Sequence, residues 1–326
     1  MRLFAVEARR LLARRLLRIM TALVFLALVF ALAKTSYDSH PPTAAQRASA
    51  AAQAAAAADQ QPPLAAQIKD CEQAKASGNG PPKDFNCKKA VHAPRAADFL
   101  RDTTFRFASQ IPGRVVGFSV VLALLGFVIG ASSVGAEWSA GTLPGLLMWE
   151  PRRIRVLVSK ALALVAVLGG IGALVMAADI YGHYGVALAR GDTTGVTHGL
   201  MLSTAYFGLR GVGLAVAAGL VGFAVAGTLR HTSAALGLGF GYFVGAELAL
   251  RILWKGSAPW LVTTNVGAWL VNGLRVPVAT SCASGPGNCP PREIHISMTH
   301  GAVYLGVLLA GTLLICAVSF RRRDVT

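Results

Sequence analysis

The sequence is poor in charge, and poorer still in acids. Only 14% of its 326 residues are charged, and 15 Asp and Glu stand against 31 Lys and Arg, for a formal net charge of +16. Soluble domains carry about 25% charged residues, so a water-solvated globule is excluded. Nucleotide-binding chemistry is missing too. No G-x-x-x-x-G-K-[ST] motif occurs, and without one the chain lacks the usual loop for cradling ATP phosphates. GLRGVG at 208–213 is Gly-rich but lies in an apolar run and lacks the Lys. The five cysteines include no Cys-x-x-Cys spacing, and the seven histidines form no ligand constellation, which argues against a bound metal. His295 and His300, five apart, do not share a helical face. No His/Asp/Glu or Ser/His group gathers at one depth of the apolar runs, as a membrane-embedded hydrolase would need.

What fills the sequence is apolar. Hydrophobic residues make up 54% of it, and the mean hydropathy is +0.54. Much of the basic charge flanks the apolar runs. Membrane orientation and lipid headgroups explain it better than nucleic acid does, and no nucleic-acid partner is expected. A helix needs roughly 20 apolar residues to cross the hydrocarbon. Six stretches qualify: 19–34, 114–134, 156–180, 201–229, 232–254 and 300–320. The first is short and spans if Arg18 and Lys34 extend to the headgroups. The expected fold class is an all-α polytopic membrane protein with six transmembrane helices.

Residues 1–18 hold six Arg against one acid, Glu7. On a helix, Glu7, Arg10, Arg14 and Arg18 share one face, with Ala5, Ala8, Leu12 and Leu16 opposite. That pattern predicts an interfacial helix. Ala31-Leu32-Ala33 also imitates a signal-peptide cleavage site, which would leave five spans, but the basic region is long for a signal. The positive-inside rule places residues 1–18, loop 135–155, Arg230 and the tail 321–326 (from RRRDVT) on one side. Both termini are then cytoplasmic, and 35–113 and 255–299 lie outside.

The outer segment 35–113 carries Pro pairs at 41–42, 62–63 and 81–82 around an Ala/Gln tract at 44–61. The tract reads as a solvated helix or a spacer. Phe99, Leu100, Phe105 and Phe107 suggest contact with the outer membrane surface. In 255–299, WLVTTNVGAWLVNGL is too short and polar to span. It reads as a re-entrant or interfacial helix, or else a surface lid. Cys71, Cys87, Cys282 and Cys289 all fall outside, where an even number suggests two disulfides. The local pairing is Cys71–Cys87 and Cys282–Cys289, and a cross-link between the loops stays open. Cys316 in the last span reads as a packed small residue.

Four ionisable residues, Asp179, Arg210, Glu247 and Arg251, fall in the outer halves of spans. Such residues are costly in lipid, so they are candidates for a polar lining near an exit, or for structural ion pairs. Glu247 and Arg251 are i, i+4 neighbours that could neutralise each other, and Asp179 or Glu247 are the partners Arg210 could take across helices. Gly237, Gly241 and Gly245 form a G-x-x-x-G-x-x-x-G face, read first as packing within the chain and second as a dimer seam.

Residues 135–160 read GAEWSAGTLPGLLMWEPRRIRVLVSK, more chain than a simple turn requires. Glu137, Gly141-Thr142-Leu143, Leu146-Leu147, Pro151, Arg153 and Lys160 resemble the first cytoplasmic loop of type-2 ATP-binding-cassette (ABC) exporter permeases. WEPRR at 149–153 resembles an actinobacterial variant of it. Six spans, an Arg-rich surface helix and the FRRRD tail are also similar to that family. Pro144-Gly145 and the Ala-rich outer insertion depart from it.

The resemblance implies a type-2 ABC exporter permease fold and a transmembrane subunit of an ATP-driven exporter in the plasma membrane. It implies no enzyme activity and no cofactor on this chain, with ATP and Mg on a partner ABC ATPase. A second permease chain, identical or not, and membrane lipids complete the set. It also implies an ATPase-coupling role for Glu137, Gly141, Thr142, Leu143, Pro151, Arg153 and Lys160. A hydrophobic or amphipathic cargo fits the apolar spans. The competing reading is an ATP-independent transporter or a scaffold. Halves 1–134 and 156–326 show none of the matched broken helices common in such transporters.

Overall fold

The computed structural model describes residues 2–77, 85–100, 103–149, 152–254, 256–278 and 292–322. Six helices are long and apolar enough to cross a membrane: Arg15–Asp38, Phe107–Ser139, Arg153–Arg190, His198–Leu229, Thr232–Leu253 and Met298–Arg322, here spans one to six. Spans two and three, at 33 and 38 residues, continue well beyond their apolar runs. Before span one lies a separate helix, Arg2–Ala13, and the helical pattern breaks at Arg14.

The chain divides into two compact units. The first holds residues 1–33, Phe107–Gly185 and 193–326; the second holds Lys34–Arg106 and Val186–Asp192.

In the first unit, spans two and four pack backbone to backbone and run in the same direction. A Cβ added to Gly130 of span two would collide with the carbonyl of Gly219, and one on Gly126 with that of Ala215. One on Gly222 of span four would strike the Phe127 carbonyl. Gly126 and Gly130 form a G-x-x-x-G face, which lets helices approach this closely in lipid, where no hydrophobic force drives them together. Span three packs on span four through Met176 against Gly208 and Leu168 against Gly219. Span one meets span three where Leu32 lies against Gly182.

Span five differs from its sequence reading. It runs as a helix Thr232–Phe240, a π-helical turn Gly241–Ala246 and a helix Glu247–Leu253. Gly237, Gly241 and Gly245 face open space, with no atom within 4 Å of an added Cβ. Gly239 is the residue that packs within the chain, against the Phe127 ring. Among the described residues the Gly repeat therefore meets no packing partner, because the span turns its other side to span two.

Between spans five and six lie a short 3₁₀ turn Ala258–Trp260, a helix Val262–Leu270, and two strands, β1 Leu274–Val278 and β2 Arg292–Ile296, paired antiparallel. Asn272 and Gly273, at φ of 63° and 109°, turn the chain from the helix into β1. The strand pair is a small departure from an all-α reading. The helix lies on span six, where Gly301 admits the Asn265 carbonyl. Tyr304 donates to the Trp260 carbonyl at 2.7 Å.

In the second unit the Ala/Gln tract forms a helix, Ala44–Gln60. Thr43 and Gln46 close its N-terminus as a reciprocal capping box, which satisfies two backbone donors otherwise left open. Ala50 and Ala54 are buried. A second helix, Leu64–Ala76, carries Cys71, which is disulfide-bonded to Cys87. Ser39 ties the unit together: its hydroxyl donates to the Arg190 carbonyl at 2.7 Å and accepts from the Phe105 amide at 3.0 Å. Cys282 and Cys289 lie outside the described residues.

Gly130→Val must push spans two and four apart, since its neighbour is backbone and cannot swing away. We expect loss of monodisperse protein in detergent by size-exclusion chromatography, while Gly237→Val, at an open site, is recovered as wild type. Cys71→Ser/Cys87→Ser removes a closure that contributes about 3 kcal/mol for a loop of this length. Limited proteolysis is expected to cut 34–106 faster in that variant, and equal cutting rates would argue against a stabilising bond.

Candidate functional site

The site is built where the N-terminal helix, the end of span two and the start of span three converge. Lys160 lies near the start of span three, with its side chain 6% exposed. Its ammonium binds Glu7 at 2.7 Å and Glu137 at 2.8 Å. Glu7 comes from the helix Arg2–Ala13, and Glu137 from the last turn of span two. Arg14 adds a second bond to Glu137 and donates to the Ser132 carbonyl at 3.0 Å. Arg10 reaches Glu7 at 3.4 Å. Two carboxylates thus meet Lys160 and Arg14 in a largely dry place, with Arg10, its side chain 55% exposed, at the rim. A small cavity of about 20 Å³, roughly one water in size, lies among Glu7, Arg14, Ser133, Glu137 and Lys160.

Dehydration explains why these groups must stay together. A buried charge is costly unless paired, and here every carboxylate has a cation beside it. The surrounding surface is apolar: Leu11, Leu17, Val134, Leu143, Val156, Leu164 and Phe320 form one buried cluster. The N-terminal helix accordingly turns Glu7 and Leu11 toward the bundle (i, i+4), Arg14 reaches inward from the break just after it, and Phe4, Val6 and Leu12 stay exposed.

The loop after span two forms a short helix, Thr142–Trp149. Gly141 enters it at φ 67°, a conformation that strains any residue with a Cβ. The Thr142 hydroxyl donates back to the Glu137 carbonyl at 3.3 Å. Leu143 is 1% exposed and anchors the helix in the apolar cluster, with Leu146 packed beside it. Trp138 stacks edge-on against Phe320 at 6.0 Å, and the Arg230 guanidinium lies 4.6 Å over its ring. One face of the loop is left open: Ser139, Gly141, Thr142, Arg152 and Arg155 are exposed, and Met148 is 81% exposed. Arg153 is half-buried and already engaged. Pro151 lies outside the described residues.

The structure therefore separates residues that the loop pattern grouped. Glu137 and Lys160 are joined inside, Leu143 is a packing anchor, and Gly141 and Thr142 lie on the outer face. Glu7 and Arg14 are the members that sequence reading missed as partners of Glu137 and Lys160. The signal for them was Glu7 itself, a lone acid among six Arg.

The four ionisable residues of the spans do not assemble into one lining, nor do they pair as their spacing suggested. Glu247 accepts from the backbone amide of Thr263 at 2.8 Å and from its hydroxyl, and that hydroxyl in turn accepts from Arg251. Thr263 thus stands between the two charges and replaces the direct i, i+4 bridge. Asp179 pairs with His183 one turn on, at 3.2 Å, both side chains at most 2% exposed. Arg210 lies 5.4 Å from the Phe207 ring and 6.0 Å from that of Trp269, whose indole donates to the Arg210 carbonyl. Arg210 is seen beside these aromatic rings and not in an ion pair with Asp179 or Glu247. The helix Val262–Leu270 gathers three of the four through Thr263 and Trp269.

A family model described as an ABC-2 family transporter protein matches residues 1–325. The chain belongs to the ABC-2 transporter family. It is a predominantly α-helical, multi-pass membrane permease subunit, and its six long apolar helices fit that. No curated protein matches the sequence.

Lys160→Ala would leave Glu7 and Glu137 facing each other in a dry site. Breaking a buried ion pair from one side costs about 3–5 kcal/mol. We expect a fall of several degrees in the Tm of the detergent-solubilised permease by scanning fluorimetry, and partial recovery in Lys160→Arg. An unchanged Tm in Lys160→Ala would show that the cluster carries no stability.

Proposed function

We propose that this permease is the transmembrane subunit of an ATP-driven exporter, and that a separate ABC ATPase docks on the open face of loop 135–155. The observation that carries this reading is the ion cluster. It ties the loop's root at Glu137 to span three at Lys160 and to the surface helix at Glu7, while the loop's outer face stays free. A segment held on one side and open on the other transmits a push from a docked partner to two spans at once.

Each residue then takes a role. Gly141 and Thr142 meet the ATPase, together with Met148, Arg152 and Arg155. Leu143 holds the loop helix in the core. Pro151 and Arg153 set where the loop re-enters span three. Glu137 and Lys160 relay the displacement rather than touch the partner. ATP and Mg are held on the ATPase. In the working exporter a second permease chain and a second ATPase complete the assembly in the plasma membrane, with both termini cytoplasmic. The Cys71–Cys87 disulfide supports an oxidising compartment around 34–106. The cargo is hydrophobic or amphipathic, with Glu247, Arg251, Arg210 and Asp179 as polar residues near the exit end of its path.

Co-expression with a cognate ABC ATPase tests this. Met148→Asp places a charge on the open face without touching the core. It is expected to lower ATPase co-purification at least tenfold with the Tm of the permease unchanged. Lys160→Met is expected to keep the ATPase bound while uncoupling its vanadate-sensitive hydrolysis from cargo. Full co-purification with Met148→Asp would remove this face as the docking site. Recovery of the permease with no ATPase under any condition would favour an ATP-independent transporter or scaffold.

A further inference from the structure

Spans four and six touch where Gly227 meets Cys316, with a Cβ on Gly227 standing 2.8 Å from the Cys316 sulfur. Beside that contact the helices part. A groove of about 470 Å³ opens between them, lined by Thr228 of span four and by Leu314, Ile315, Val318, Ser319 and Arg322 of span six. The five span-six residues follow an i, i+1, i+4, i+5, i+8 pattern, so they occupy one face of the helix. That face is not used for packing: Leu314 is 66% and Ile315 60% exposed, while Cys316 and Phe320 carry the contacts inward.

The groove changes character along its length. Leu314, Ile315 and Val318 make an apolar floor. Ser319, Thr228 and Arg322 make one polar end, and Arg322 forms no hydrogen bond or ion pair among the described residues. From Leu314 to Arg322 the helix rises about 12 Å at 1.5 Å per residue. The hydrocarbon of one leaflet is about 15 Å deep, half of a ~30 Å core. The length, the graded polarity and the free guanidinium together match one class of molecule. An acyl chain fits the floor, and a phosphodiester fits the fork of an Arg, which binds phosphate in a bidentate manner.

We propose that this groove is a specific site for one anionic phospholipid, its phosphate on Arg322 and one acyl chain along Leu314, Ile315 and Val318. The site lies at the end of the bundle that carries the ion cluster, since Phe320 of span six stacks on Trp138 there. It rests on the chain being a membrane-spanning permease and does not depend on ATPase docking. Arg321 is a built-in control. It is exposed and carries the same charge at the same membrane level, but does not line the groove.

The test is native mass spectrometry of the full-length permease, equilibrated in detergent with equimolar phosphatidylglycerol and phosphatidylcholine. Wild type is expected to retain phosphatidylglycerol several-fold over phosphatidylcholine. Arg322→Gln is expected to abolish that preference. Val318→Trp fills the floor without changing charge and should lower retention of both lipids several-fold, while Arg321→Gln should match wild type. Three results would each overturn the site. One is no preference in wild type. The second is an equal loss in Arg321→Gln and Arg322→Gln, which is surface electrostatics alone. The third is undiminished retention in Val318→Trp. Both groove variants sit on an unpacked face, and an unchanged Tm verifies that each is folded.

Discussion

One ammonium group holds together the end of the bundle where the first helix, span two and span three meet. Lys160 is nearly dry and bonds two carboxylates that arrive from separate helices. In water such bridges contribute little. Here the groups have already lost their hydration, so separating them exposes a bare charge to an apolar shell. The bond acts less as a source of net stability than as a rule on geometry: the surface helix, the end of span two and the start of span three must stay in register. Arg14 strengthens the rule by holding both the Glu137 side chain and the Ser132 carbonyl.

That rule matters because span two is itself fixed from above. Its Gly126 and Gly130 sit against the backbone of span four, and contact this close leaves no slack for sliding. A displacement of the loop after Ser139 therefore has few ways to dissipate. It must move span two with span four, or strain the Lys160 bonds and move span three. Close packing transmits small shifts instead of absorbing them. Small glycines and buried charges, chemically unrelated, give the same mechanical result.

Much of this was legible in the sequence, and what was not has physical reasons. The spans were visible because bilayer thickness sets a length that apolar runs must meet. The loop was visible because its charges and Pro interrupt two such runs. Cys71–Cys87 was the local one of the pairings that the sequence left open, and the structure holds it. The partners of Lys160 were not, because Glu7 lies 153 residues away and only the fold brings the two together. Helical-wheel reasoning set Glu7 on the polar face of the first helix but not which way that face turns; the dry site attracts it inward. The glycines were misread for a related reason. A G-x-x-x-G spacing marks a surface able to accept a close neighbour but not the neighbour: 126–130 found span four, while 237–245 found none among the described residues. Thr263 also defeated a spacing argument, since a hydroxyl that donates to one charge and accepts from the other replaces a direct bridge.

Span five is the counterpart to this rigidity. Only 6% of its apolar window is buried within the chain, against 50% in span four. It carries a π-helical turn, a feature that often marks a functional position in a helix. Beyond that turn Glu247 is buried and held by Thr263 of the helix Val262–Leu270. The span is thus tethered near its start through Gly135 and Thr232 and near its end through Glu247, with a loosely packed middle and an open glycine face. In the proposed exporter that combination suits a helix meant to move against a second chain. In that proposal the tightly packed spans two and four act as the lever, and the under-packed span five is the part it shifts.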